Sequence, residues 1–158
     1  MNKTLSALVA AAGMAGCAKS YHYQSEIADL GIERHEAVKY VESTGDMLKL
    51  GYEKLPNLFH GRDKTEWKRL DVNDSCNLEN VQRKYHRYSF SLTDDGCNGT
   101  VDRAEVWCPQ FGYRYVERND LNEDNAFALD SVFAYERNLI DRGFDIDKQI
   151  EEWHERRE

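Results

Sequence analysis

The chain has 158 residues, with 29 aspartates and glutamates against 21 lysines and arginines and a formal charge of −8. That balance excludes a nucleic-acid partner, whose phosphates demand basic patches, and it opposes electrostatic adhesion to anionic lipid headgroups. Nine tyrosines, six phenylalanines and three tryptophans supply the bulk for a buried core, which excludes a disordered tail.

The chain opens on "MNKTLSALVAAAGMAGCAKS", where Lys3 is the only charge before Lys19. The apolar run between them falls short of the roughly 20 residues that cross a bilayer. A brief basic start, an apolar run and a small-residue exit form the pattern of an export signal. Met14-Ala15-Gly16-Cys17 resembles the lipobox of bacterial-type lipoproteins. The resemblance implies cleavage before Cys17, diacylglycerol on its sulfur and a membrane-anchored protein of the cell envelope. Two acyl chains suffice for stable attachment. Met14 stands where that pattern usually has leucine, and ordinary cleavage beyond Ala18 is the alternative. Residues 1–16 are thus read as a signal peptide, 17–25 as a lipidated tether and 26–158 as one globular domain.

From Glu26 to Val41, the residues Ile27, Leu30, Val38 and Val41 share a helical face among charges, which predicts an amphipathic helix. Thr44-Gly45-Asp46 reads as a break, and "MLKLGYEKL" as a second short helix ended by Pro56. Residues 56–66 read as a loop and Trp67 to Val72 as a strand. Two periods then coexist. Leu78, Val81, Tyr85, Tyr88 and Leu92 recur at helical spacing, whereas Tyr88, Phe90 and Leu92 alternate with serines. Val101 to Trp107 and "GYRYVER" are strand-like. Asn125 to Asp141, with Phe127, Val132, Phe133, Leu139 and Ile140, predicts a helix closed by Gly143. Asp145 caps a last helix with Ile146, Ile150 and Trp153 on one face. The predicted class is α+β: N-terminal helices, a small antiparallel β-meander, then C-terminal helices.

One stretch carries recognisable chemistry. "LTDDGCNGTVDRAEVW", from Leu92 to Trp107, crowds acidic residues, asparagine and glycine between apolar runs. Calcium takes six to eight oxygen ligands, and a short loop supplies them only around a sharp turn, where glycine is needed. The string resembles the EF-hand loop, with Asp94 first, Asn98 fifth, Gly99 sixth, Val101 eighth, Asp102 ninth and Glu105 twelfth. Gly96, third in the loop, has no side-chain oxygen to give. Pro109 would interrupt a helix leaving the loop, so the setting expected is strand-loop-strand, as in related extracellular repeats. The resemblance implies a weak Ca²⁺ site with Asp94, Asn98 and Asp102 as ligands, a backbone carbonyl near Thr100, and Glu105 as an extra. A metal-free turn is the alternative, since the same residue types build any hairpin. Asp94 is expected to be an exposed turn residue.

If Cys17 is lipidated, Cys76, Cys97 and Cys108 remain for one disulfide in an oxidising compartment. Cys97 and Cys108 flank a strand and would lie too far apart, which leaves Cys76 to pair with Cys108 or Cys97, Cys108 being the first choice. No zinc-protease helix, phosphate loop or nucleophile elbow is present. The function expected is a monomeric envelope lipoprotein whose small acidic domain, stabilised by calcium, has a binding or structural role. The alternative is an envelope hydrolase whose site gathers dispersed histidines, such as His60 or His86, with carboxylates.

Overall fold

The computed structural model describes residues 37–54, 63–85 and 87–157. Met14 to Cys17, the tether, residues 26–36 of the expected first helix, His60 and His86 lie outside the described residues.

Along Met47 to Lys54 the side chains alternate: Leu48, Leu50 and Tyr52 against Lys49, Gly51 and Glu53. A helix would scatter the first three around its axis, whereas a strand puts them all on one face. They are buried, so the segment is a strand, β2 (Met47–Lys54), and it pairs antiparallel with β1 (Ala37–Thr44). Thr44 pairs with Met47, which leaves Gly45 and Asp46 as the connection, with Gly45 at φ +55° where only glycine sits without strain. The expected N-terminal helices are thereby corrected: wherever they fall on described residues, the chain is β-sheet.

Five more strands follow: β3 (Asp63–Val72), β4 (Ser75–Tyr85), β5 (Tyr88–Asp95), β6 (Arg103–Cys108) and β7 (Gly112–Glu117). All seven are hydrogen-bonded in sequence order, each antiparallel to the next. The sheet is therefore a full meander, larger than expected, and β3 takes in part of the segment expected to be a loop. The competing periods between Leu78 and Leu92 resolve as two strands.

Two helices close the described chain, α1 (Glu123–Phe144) and α2 (Ile146–Arg157). Asn122 caps α1 by accepting the Asn125 N–H at 2.8 Å, and Glu123 and Asp124 complement the dipole of its first turn. Gly143 does not end this helix. Its bare Cα admits the Tyr52 hydroxyl, which any Cβ would strike, and Asp145 takes the left-handed position at φ 56° instead. Asp145 also accepts the Lys148 N–H at 3.4 Å, at the start of α2.

The helices cover one face of the sheet. Leu50, Trp67, Val81, Leu92, Ala104 and Val116 form a cross-strand row that packs with Leu129, Phe133, Ile140, Phe144, Ile146 and Trp153 into one core. Each large side chain removed from water there contributes about 1.5–3 kcal/mol. Phe127, expected among the apolar residues of α1, is 73 % exposed and lies outside that stripe.

Candidate binding surface and the Asp94 loop

Because strand side chains alternate, the neighbours of the core row form a second row on the opposite face, where no described helix packs. It runs Tyr40, Gly51, Glu66, Gln82, Ser91, Glu105, Tyr115, one residue from each strand in register. Gly51 is required in it, since a Cβ would meet the Tyr40 ring and the Thr65 carbonyl. Glu66 is buried at its centre. Its carboxylate accepts the Tyr40 hydroxyl, Lys64 Nζ at 2.6 Å and Lys68 Nζ at 2.9 Å. Burial pushes this carboxyl up, but the three hydrogen bonds together hold it below the ordinary glutamate range. Burial and the Glu66 charge push the Tyr40 hydroxyl far up in turn, so it stays a donor.

An adjacent row on the same face carries Lys64, Lys84, Ser89, Trp107 and Tyr113. With Gln82, Ser91 and Glu105 these residues line a depression of 260 Å³. Trp107 is 38 % and Tyr113 55 % exposed, whereas Trp67 and Trp153 are sealed in the core. The Tyr113 hydroxyl donates to Glu105 at 3.1 Å, and Gln82 Nε2 reaches Ser91 Oγ at 3.4 Å.

The Asp94 loop lies at the far end of β5 and joins two strands. It turns on Gly96 (φ 96°), Cys97 (φ 57°) and Gly99 (φ 85°). Asp94 is buried, contrary to expectation, and closes the loop by accepting the N–H groups of Asn98 at 3.1 Å and Gly99 at 2.7 Å. Burial raises its pKa; the two N–H bonds oppose that, and the charges of Glu79 and Asp102 add to it. Asp102 accepts the Asp95 N–H at 2.7 Å, and Asn98 Oδ1 accepts the Thr100 N–H at 2.9 Å together with its hydroxyl. Glu105 belongs to β6 and points to the opposite face from Asp94, so the structure does not bring it to the other four. Among the described residues, no three His, Cys, Asp or Glu side chains gather as a metal-holding group. Asp94, Asn98 and Asp102, which the resemblance implies as ligands, are each already engaged by N–H groups of the loop itself.

Cys97 is tied to Cys76, the second of the two pairings the sequence allowed, across 21 residues. Closing a loop of that length stabilises by about 3 kcal/mol in the chain-entropy account. Cys108 is not a free thiol either, so none of the three is left over. At the loop exit Asp130 of α1 accepts the Val101 N–H at 2.7 Å and pairs with Arg118 through both oxygens.

Several charged residues at the helix-sheet boundary were not singled out from the sequence. Arg83 of β4 reaches Glu136 of α1 at 2.8 Å, both buried. Burial pushes the Glu136 carboxyl up, with the Arg83 charge opposing. The signal was present, since Glu136 interrupts the apolar spacing of Leu129, Phe133 and Ile140. His154 of α2 meets Asp71 at 2.7 Å, and Arg69 holds the other oxygen of Asp71 at 2.6 Å. This histidine-carboxylate pair locks α2 to β3. No protein-family model matches the chain, and neither does any curated protein or solved structure.

Proposed function

We propose that the chain is an exported, non-catalytic binding domain, attached to the membrane through Cys17, whose working surface is the sheet face opposite the helices. One observation carries this reading. On that face the charged residue Glu66 is buried while Trp107, Tyr113 and Tyr115 stand exposed, the reverse of what folding alone favours. Exposed aromatic residues beside hydroxyl, amide and charged groups are the equipment of a recognition surface. The Cys76–Cys97 disulfide supports an oxidising compartment outside the cytosol.

Trp107 is the only exposed tryptophan of the three, so its emission reports on this face. The full chain is titrated with neutral and acidic oligosaccharides and with neutral and acidic peptides. At least one should shift that emission saturably, and Trp107→Ala should be silent while melting unchanged. A panel in which nothing moves the signal defeats the reading. Cys17→Ser should move the protein from the membrane fraction to the soluble one, and unchanged partitioning would overturn the anchor.

A second reading is calcium at the Asp94 loop: burial first, and then the charges of Glu79 and Asp102, raise the Asp94 pKa, and a cation would offset those charges. The ion would compete with the Asn98 and Gly99 N–H groups for the Asp94 carboxylate. Its affinity therefore belongs to the weak extracellular class, about 10⁻⁴–10⁻³ M. At tenfold saturation it adds about 1.4 kcal/mol of stability. A melt that calcium at several millimolar leaves unmoved would refute it.

A further inference from the structure

Lys64 and Lys84 are direct cross-strand partners on the sheet face opposite the helices. Like charges so placed destabilise a sheet, and here they occur in a chain whose net charge is −8. The Lys64 ammonium is answered by Glu66 at 2.6 Å and lies over the Tyr40 ring at 5.4 Å. Lys84 is exposed and has no ion-pair partner among the described residues. It borders the same depression as Trp107, two strands away in the same row, about 10 Å at the usual strand spacing. Ser89 lies between them in that row, and Ser91 and Gln82 line the same depression from the next row.

Resting on the binding reading above, we propose that this depression takes a saccharide bearing a carboxylate, a uronic-acid unit of an acidic polysaccharide. Charge complementarity identifies the ligand's acidic end, and the aromatic residue identifies its ring. The sugar carboxylate accepts hydrogen bonds from the Lys84 ammonium, with Lys64 adding to the local field. The pyranose ring lies on the exposed face of Trp107, where its C–H groups meet the negative face of the indole. The ring hydroxyls exchange hydrogen bonds with Gln82 and Ser91 and donate to Glu105, which Tyr113 orients. With the cation at one end and Glu105 at the other, the polarity fixes the direction of the sugar chain. At 260 Å³ the depression is smaller than the roughly 300–1,000 Å³ of drug-sized pockets, which suits one or two rings of a polymer lying across the face.

The test uses the full chain and two probes, a trimer of galacturonic acid and the same trimer with its carboxyl groups reduced, followed by calorimetry and Trp107 emission. The acidic trimer should bind at least tenfold tighter. Lys84→Ala should lower its affinity to that of the reduced trimer and leave the reduced trimer unaffected. Trp107→Ala should abolish binding of both, with melts equal to wild type confirming that the variants fold. Raising the salt concentration should weaken the acidic trimer only. Equal affinity for the two trimers, or a Lys84→Ala variant that still distinguishes them, overturns the proposal. If polyglutamate moves Trp107 emission as tightly as the acidic trimer, the saccharide falls and the binding surface stands. If no probe moves it, both fall.

Discussion

The same seven strands carry two faces that differ by a one-residue step along each chain. On one lies the row Leu50, Trp67, Val81, Leu92, sealed beneath α1 and α2; on the other, Gly51, Glu66, Gln82, Ser91. Stability is concentrated in the first, where apolar area leaves water and the few charges are paired against a helix. The second has as many residues and little apolar area to bury, yet it holds a carboxylate among three donors and exposes its aromatic residues. A sheet can separate structural and recognition roles within each strand, because alternation keeps the two sets of side chains out of contact.

That contrast can be read on two tryptophans, Trp67 buried and Trp107 exposed. Trp67→Ala should cost about 3–5 kcal/mol in urea denaturation, since the cavity sits between the sheet and both helices. Trp107→Ala should shift stability by less than about 0.5 kcal/mol. Comparable losses at both positions would break the division between the faces.

Charge sharpens it next. Removing the partner of a buried ion pair leaves an uncompensated charge, so Arg83→Ala should cost about 3–5 kcal/mol. Lys68→Ala on the other face leaves Glu66 with Lys64 and Tyr40, and should cost no more than about 1 kcal/mol. Equal midpoints for the two variants would show that Glu136 needs no counter-charge.

Smaller again is the contrast across the turn. Asp94→Ala should lose about 1–3 kcal/mol without any metal present, because two loop N–H groups lose their acceptor in a part-buried setting. Glu105→Ala, on the other face and exposed, should be close to neutral. A neutral Asp94→Ala, read by the same melts, would mean that Cys76–Cys97 alone holds the loop.

The smallest effect is one of sign. Glu66 is held below the ordinary glutamate value of 4.5 in the folded state. Its contribution is therefore present above that value and is lost as pH falls through the depressed folded pKa. Glu136 is pushed above 4.5, so its contribution is fully present below that value and is lost as pH rises through the raised one. Between pH 3 and 7, wild type minus Glu66→Gln should rise with pH, and wild type minus Glu136→Gln should fall. Parallel slopes would mean that both carboxyls share one environment.

The C-terminal half was legible because its signals are local. Asp145 and the apolar spacing of α1 and α2 act within one or two turns, so the helices can be placed from sequence. The N-terminal half was misread because Leu48 and Tyr52, four residues apart, share a helical face, and in so short a segment Leu50 between them does not decide for a strand. The choice was made by partners far along the chain, Trp67 and Phe144. Gly143 misled for a related reason: its role comes from Tyr52, 91 positions away by residue number, and not from a helix end. The face opposite the helices left almost no trace in the sequence. Its residues are one per strand, and only the register of β4, β5 and β6 brings Lys84, Ser89 and Trp107 into one line.

The Cys76–Cys97 bridge joins β4 to the turn that follows β5. A protease that cuts the backbone once anywhere between those two cysteines therefore leaves a single covalent molecule. The two pieces part only when the sulfur–sulfur bond is reduced. Electrophoresis of such a nicked sample would show one band without reductant and two with it.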